Sequence, residues 1–285
     1  MPCADHYFTH SPGTVIRYQV RGAGPEPLVF VHGFAAALTT WDDIAPLFPP
    51  ERFTLYLLDL KGFGFSSKPR RGSYAPEEQA AVLLSFIEAM GIERATLAGH
   101  SLGGGIAMLA LLRAMDEGRE LLVSRLILIA AAAYHQRLPR FMRWLKMPVI
   151  GRLGMALVPL RTIVLASLRA VFHDRHAITP ERIKRYETCF GRHGMPRVLI
   201  RTVRAIARDS YRHASARFGE IRVPTLIIWG SEDRVVRVEF GHRLEREIPG
   251  ARLAVIGECG HNPHEERPRE TFELIMEFME GNGKE

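Results

Sequence analysis

The chain has 285 residues, 47% of them hydrophobic and 24% charged, which is the composition of a globular protein with one substantial core and a net charge of +7. Its three cysteines, Cys3, Cys189 and Cys259, are too few and too scattered for a disulfide framework or a zinc site with paired ligands. Residues 1–20 contain no basic segment followed by an apolar run, so we expect no secretory signal and a cytoplasmic location.

Seven short runs rich in Val, Ile, Leu and Phe are predicted to be strands. Runs of this length that are apolar throughout are typical of strands covered on both faces of a sheet. In chain order they are residues 14–20, 28–31, 53–58, 95–98, 125–129, 225–229 and 252–256.

A helix is predicted between the third and fourth of these runs. Pro76 can open it and Gly91 can close it. Its apolar side chains share one face: Ala80, Leu83, Leu84 and Ile87. Strands and helices that alternate in this way predict an α/β protein with a mostly parallel sheet, which binds ligands outside the carboxyl ends of its strands.

The fourth run leads into the sharpest motif of the chain. Residues 95–107 read ATLAGHSLGGGIA, in which G-H-S-L-G follows an apolar strand and runs directly into a helix, the pattern of a nucleophile elbow. Gly99 and Gly103 occupy places where a side chain would clash, and Ser101 is held above the sheet. The alternative is a glycine-rich turn that binds phosphate, but neither G-K-[ST] nor G-x-G-x-x-G spacing is present.

Residues 134–220, called the insert below, break the alternation. They read as several helices with no convincing strand: Phe141, Trp144 and Leu145 are spaced as on one helix face, and Pro148 should end that helix. The insert carries 18 Lys and Arg against 5 Asp and Glu, so it is strongly basic on an otherwise acidic chain. It contains no recognised nucleic-acid-binding motif, so we predict no nucleic-acid partner; arginines on amphipathic helices are compatible with peripheral contact with a membrane.

Besides the elbow, four motifs carry polar residues, each beginning in an apolar strand or at its end. They are VFVHGF (29–34), DLKGFGFS (59–66), LIIWGSEDRVV (226–236) and LAVIGECGHNP (253–263). A serine, then an acid, then a histidine, each after its own strand, is the chain order of one class of hydrolase. On these motifs the sequence resembles the α/β-hydrolase superfamily, from about Thr14 to the C-terminal helix.

The resemblance implies a fold and a division of the chain. It implies the α/β-hydrolase fold, a mostly parallel central sheet flanked by helices, with a helical cap inserted after the sixth strand. We expect the core to comprise residues 1–133 and 221–285 and the cap to be residues 134–220.

The resemblance also implies roles for particular residues. Ser101 would be the nucleophile, His261 the base and Asp233 the carboxylate that orients the histidine. The backbone N–H groups of Phe34 and Leu102 would form the oxyanion hole. No cofactor is implied.

Several residues compete for these roles or offer other chemistry. Glu232 is the local rival of Asp233, and His264 is the alternative base. We interpret His32 as shaping its loop, Asp59 as scaffold and Cys259 as a small packing residue, with a reactive thiol as its alternative. His173 and His176 form an H-x-x-H, but no third or fourth ligand is evident, so we predict no metal.

The expected reaction is hydrolysis of a small-molecule carboxylic ester with a hydrophobic acyl group. A serine at the elbow argues against the epoxide-hydrolase and haloalkane-dehalogenase branches, which use aspartate. His100 before the serine and the H-G-F-A-A-A loop resemble esterases and monoacylglycerol-type lipases, whereas C–C bond hydrolases of ring-fission products usually show Asn and G-P-G there. Such a C–C hydrolase, or a ligand-binding protein of low turnover, is the alternative.

Overall fold

The structure, a computed structural model, describes residues 4–135, 142–143, 147, 157–206 and 211–281. Its strands are β1 (His6–Ser11), β2 (Thr14–Arg21), β3 (Glu26–Val31), β4 (Phe53–Leu58), β5 (Ala95–His100), β6 (Val123–Ile129), β7 (Thr225–Gly230) and β8 (Arg252–Ile256). They form one sheet in the order β1-β2-β4-β3-β5-β6-β7-β8. Strand β2 is antiparallel to both neighbours and the other adjacent pairs are parallel, so the predicted α/β-hydrolase fold with a mostly parallel sheet is confirmed.

All seven predicted strands are present, and β1 is an eighth that the sequence analysis missed. Its sequence, HYFTHS, is mostly polar and its side chains are exposed or half-buried, because it lies at the edge of the sheet and pairs only with β2. The prediction that both faces of each strand are covered is wrong for β8, the strand at the opposite edge of the sheet, where Val255 is 45% exposed. A continuous apolar run therefore identified a strand here without identifying its burial.

The described helices are α1 (Pro76–Ala89), α2 (Leu102–Asp116), α3 (Leu160–Val171), α4 (Pro180–Phe190), α5 (Met195–Ile206), α6 (Arg212–Ser215), α7 (Glu239–Glu247), α8 (Pro263–Glu266) and α9 (Pro268–Gly281). The predicted helix after β4 is α1, and its four apolar positions are buried as expected. None of the helices in the described part of the chain combines the length and apolar character that a membrane crossing requires.

Apolar cores cover both faces of the sheet. Adjacent residues of a strand point to opposite faces. In β5, Leu97 belongs to the core that includes α1 and α2, whereas Ala98 belongs to the core that contains Trp41 and side chains of α9. The central strands are therefore held rigidly from both sides, and the loops at their carboxyl ends start from fixed positions.

The described part of the insert is helical. Helices α3 to α6 lie between β6 and β7, and no strand occurs among the described residues of this segment. Phe141, Trp144 and Leu145, on which the first predicted helix of the insert was based, lie outside the described residues.

Candidate active site

The predicted site residues follow the carboxyl ends of four strands of the sheet. Ser101 comes directly after β5, and Phe34 lies in the loop after β3. Asp233 follows β7 and His261 follows β8. Because these strands are parallel, their carboxyl ends open onto one edge of the sheet, which is where α/β proteins place ligands.

Ser101 occupies a strained turn between β5 and α2. Its φ of 51° and ψ of −116° lie in a region that residues other than glycine rarely adopt. The backbones around it approach so closely that glycine is required: a Cβ on Gly103 would overlap a backbone oxygen of β3, and one on Gly99 would lie 2.6 Å from the Cα of Gly104. The first turn of α2 is thereby pressed against the sheet, and the turn that precedes it carries the serine.

A continuous chain of hydrogen bonds joins the three predicted side chains. His261 Nε2 lies 2.9 Å from Ser101 Oγ, and His261 Nδ1 lies 2.7 Å from Asp233 Oδ2. Since an ionised carboxylate only accepts, the network assigns the imidazole proton to Nδ1 and leaves Nε2 free to accept from the serine hydroxyl. The other carboxylate oxygen of Asp233 accepts the backbone N–H groups of Val235 (2.8 Å) and Val236 (2.9 Å).

The competing residues lie elsewhere. Glu232 is exposed, and its carboxylate contacts the hydroxyl of Ser231. His264 is completely buried, with Nε2 2.9 Å from Thr40 Oγ1. Cys259 is also completely buried, and burial raises the pKa of its thiol, as expected for a packing residue. Of the candidate acids and bases, His261 is the one that contacts Ser101, and Asp233 is the one that contacts His261.

The loop after β3 lies against Ser101, the predicted nucleophile. A Cβ on Gly33 would lie 3.2 Å from Ser101 Cβ. His32 accepts the N–H of Leu60 at Nε2 (2.9 Å), so its Nδ1–H donates to the Gly33 carbonyl (2.8 Å). Because the C=O and N–H of a trans peptide point in opposite directions, this bond holds the Phe34 N–H on the side away from His32.

Within the part of the chain that the structure describes, the two predicted oxyanion donors have no competing acceptor. Among the described residues, neither the N–H of Phe34 nor that of Leu102 donates a hydrogen bond.

Burial lowers the pKa of His32, which keeps the imidazole neutral and its donor–acceptor pattern fixed. The loop-shaping interpretation of His32 agrees with these contacts.

Asp59 supports the loops around the site. Its Oδ1 accepts the N–H of Leu38 (2.7 Å), and its Oδ2 accepts the N–H of Phe65 (2.8 Å) and the guanidinium of Arg17 (3.2 Å). The carboxylate is completely buried and has no hydrogen bond to His261. These contacts are those of the scaffold residue that the sequence predicted.

His100 has a contact that the sequence analysis did not foresee. A carbonyl oxygen can only accept, so His100 Nε2–H donates to the backbone oxygen of His261, 2.9 Å away. Its Nδ1 is buried without a partner in the described structure, and burial lowers its pKa well below the usual value. His100, the residue before Ser101, thus holds the backbone of the predicted base, which is 161 positions away in the sequence. No local sequence pattern signals such a pairing.

No group of three or more His, Cys, Asp or Glu residues that could hold a metal ion occurs within the described ranges. His173 contributes its backbone N–H to Glu266, and the N–H of His176 bonds to Asp174. The H-x-x-H of the insert is therefore part of a turn whose backbone is engaged in local and loop contacts.

Comparison with known proteins agrees with the fold. The sequence profile described as alpha/beta hydrolase fold matches residues 26–268. The uncharacterized hydrolase YugF of Bacillus subtilis (strain 168) is 29% identical over 282 residues, covering 95% of this chain and 96% of that protein. The 2-hydroxy-6-oxononadienedioate/2-hydroxy-6-oxononatrienedioate hydrolase of Burkholderia vietnamiensis (strain G4 / LMG 22486) is 28% identical over 278 residues, covering 94% and 92%. Among solved structures, a membrane phospholipase A described as a novel bacterial virulence factor superposes with a TM-score of 0.75 at 27% identity, covering 99% of this chain and 87% of that one.

The fold and these matches define the class of the protein, an α/β hydrolase. The matched segment extends from β3 to the start of α9 and so includes every strand that carries a predicted site residue. The chain belongs to the alpha/beta hydrolase fold family.

Proposed function

We propose that this protein hydrolyses carboxylic esters through an acyl-enzyme formed on Ser101. The observation that carries the proposal is the unbroken hydrogen-bond chain from Ser101 Oγ through His261 to Asp233. A serine hydroxyl is a weak nucleophile unless a base takes its proton, and this arrangement supplies the base in the required tautomer.

The proposed reaction proceeds in two steps, acylation of Ser101 and hydrolysis of the acyl-enzyme. Ser101 Oγ bonds to the carbonyl carbon while its proton passes to His261 Nε2, and the imidazolium then protonates the departing alcohol. Water then bonds to the acyl carbon while its proton passes to His261 Nε2; the bond from that carbon to Ser101 Oγ breaks, the imidazolium returns the proton to Oγ, and the acid is released. Asp233 stabilises the positive imidazole during both steps.

The negative oxygen of each tetrahedral intermediate would be bound by the N–H groups of Phe34 and Leu102. Phe34 follows Gly33, which lies against Ser101, and Leu102 follows Ser101 itself. In the described structure neither N–H has another acceptor. Losing one such donor typically costs about 2.7–4 kcal/mol of transition-state stabilisation. We further propose that the insert, residues 134–220, acts as a cap that shields a hydrophobic acyl group.

Cleavage of a C–C bond is a second candidate. The relative from Burkholderia vietnamiensis that is 28% identical is named as a hydrolase of 2-hydroxy-6-oxononadienedioate and 2-hydroxy-6-oxononatrienedioate, which are dienoic and trienoic acids of the ring-fission type. Two features favour the ester instead: His100 stands where C–C hydrolases usually have Asn, and the oxyanion loop reads H-G-F-A-A-A rather than G-P-G. The phospholipase A that is 27% identical is, by its name, an ester hydrolase.

The proposal is tested by comparing wild type with Ser101→Ala on p-nitrophenyl esters of graded chain length and on ring-fission dienoic acids. We expect the esters to be turned over by wild type, and Ser101→Ala to lower kcat by up to about 10⁶-fold. Ser124→Ala is the matched control. The Ser124 hydroxyl donates a hydrogen bond to the carbonyl of Arg94 at the amino end of β6, whereas Ser101 lies at the carboxyl ends of the strands. Mass analysis after exposure to substrate should locate the acyl group on Ser101.

Each outcome separates the candidates. Equal ester hydrolysis by wild type and Ser101→Ala would remove the proposed nucleophile. Turnover of dienoic acids far above that of esters would favour C–C cleavage, and inertness toward both would favour a ligand-binding protein of low turnover.

A further inference from the structure

The loop that carries His261 is bonded to the insert through the backbone. The N–H of His261 donates to the carbonyl of Val171, the last residue of α3, at 2.7 Å. One position earlier, the N–H of Gly260 donates to Glu266 Oε1 at 2.5 Å. The other oxygen of that carboxylate, Oε2, accepts the N–H of His173 in the insert at 2.7 Å.

The approach of the two segments is too close for any side chain at position 260. A Cβ on Gly260 would overlap the carbonyl oxygen of Val171 and would lie 2.7 Å from the N of His173. Contact between the loop and the insert is therefore backbone against backbone, which is less able to adjust than contact between side chains. A shift of the Val171–His173 segment would be passed directly to the residue next to the base.

Glu266 closes this contact. It is 6% exposed, and each of its oxygens accepts one N–H, one from the base loop and one from the insert. A buried N–H left without an acceptor destabilises the folded chain, so both bonds stabilise the same relative position of the two segments.

The adjacent carboxylate makes a second connection of the same kind. Glu265 Oε2 accepts from Asn262 Nδ2 (2.6 Å), directly after the base, and from the hydroxyl of Tyr186 on α4 (2.7 Å). Helix α8 thus presents two neighbouring carboxylates that each join the base loop to the insert. These contacts of Glu265 and Glu266 are called the α8 connection below.

We propose that Glu266 is a positioning residue for His261: it couples the seating of Val171–His173 of the insert to the placement of the base against Ser101. This inference rests on the proposed function of Ser101 and His261. It predicts that the insert contributes to the rate of the chemical step as well as to the binding of substrate, because the base is in place only when the insert is seated.

The decisive variant is Glu266→Gln, which has nearly the same shape and removes the charge. An amide offers one oxygen and one NH₂, so its NH₂ must face the N–H of either Gly260 or His173, and one of the two bonds becomes a contact between donors. Misplacing a reacting group by about 1 Å can lower the rate by about 10²-fold. We expect kcat to fall by about 10- to 100-fold with KM within about threefold of wild type.

The measurement is kcat per active site, with the active sites counted by end-point labelling of Ser101 with a fluorophosphonate. This separates a slow site from a smaller fraction of folded enzyme, which would reduce the count and leave the rate per site unchanged. Glu273→Gln is the matched control: it removes the same charge from an exposed position on α9. Gly260→Ala should give the same loss of kcat as Glu266→Gln, by displacing the insert from the other side of the contact.

A spectroscopic readout keeps the inference testable without turnover. The imidazole Nδ1 proton of His261, shared with Asp233, should give a low-field proton resonance that Glu266→Gln shifts or broadens and Glu273→Gln leaves in place. Unchanged kcat per site together with an unchanged resonance would overturn the role of Glu266. A wild type inert toward esters and toward the fluorophosphonate would instead refute the proposed function, and the resonance alone would then decide the positioning role.

Discussion

Replacing Asp233 by Asn gives the sharpest test of the proposed chemistry, because the surrounding donors dictate how the amide must sit. Asn has nearly the same shape as Asp but carries one oxygen and one NH₂. The Oδ1 position faces two backbone N–H groups, those of Val235 and Val236, so the amide oxygen must occupy it. The NH₂ then faces His261 Nδ1.

The consequence for the base follows directly. Nδ1 of His261 must become an acceptor, so the imidazole proton moves to Nε2, the nitrogen that lies 2.9 Å from Ser101 Oγ. In that tautomer the imidazole cannot take the serine proton. The corresponding change in a serine protease lowers kcat by about 10⁴-fold, which at about 1.36 kcal/mol per tenfold is roughly 5.4 kcal/mol of activation free energy.

The assay is kcat for a p-nitrophenyl ester at neutral pH, normalised to active sites, for wild type, Asp233→Asn and Glu232→Gln. Glu232 is the adjacent, exposed carboxylate, so its variant should keep full activity. A kcat of Asp233→Asn within tenfold of wild type would refute the tautomer argument. A larger loss in Glu232→Gln than in Asp233→Asn would refute the assignment of the acid.

Two further predictions concern stability. Gly103→Ala should lower the free energy of unfolding by about 1–3 kcal/mol or more, because the new Cβ would overlap a backbone oxygen of β3, whereas Gly257→Ala, in open space, should change it by less than about 0.5 kcal/mol in urea titrations. Burial lowers the pKa values of His100 and His264 well below 6.5, so below that pH the unfolded chain binds protons that the folded chain does not. Stability should therefore fall as pH drops below about 6.5, by up to about 1.4 kcal/mol per pH unit for each histidine. His264→Asn should lessen this slope in urea titrations at different pH values.

The sequence predicts the parts of this protein that are fixed by local pattern. The central strands are apolar because both faces are covered. Each of the strands that precede a predicted site residue (β3, β5, β7 and β8) ends near a glycine, where the chain turns away from the sheet. Gly99 and Gly103 flank Ser101 at the spacing the turn needs, so Ser101 stands out as the candidate nucleophile from the local sequence alone. Strand β1 escaped because it lies at the edge and carries no apolar run.

Contacts between distant segments could not be predicted in the same way. His100 and the carbonyl of His261 are 161 positions apart, and Glu266 and the N–H of His173 are 93 apart. A glutamate five residues after a histidine has no periodicity or spacing that reveals its partners. Only the folded chain shows that the two oxygens of Glu266 face different segments.

The chemistry of the α8 connection argues for a role in positioning rather than in stability alone. Burial raises the pKa of Glu265 even though the guanidinium of Arg182 lies near it, which shows that desolvation outweighs the attraction of the nearby charge. Well-packed apolar side chains in place of buried charged groups are often equally stabilising or more so. Apolar side chains would supply no direction, whereas the two oxygens of Glu266 each accept one defined N–H, one from the base loop and one from the insert. An apolar contact would be enough to hold the insert against the core. The proposed chemistry also requires His261 to stay within hydrogen-bond distance of Ser101, and directed hydrogen bonds fix the relative position of the two segments on which this distance depends.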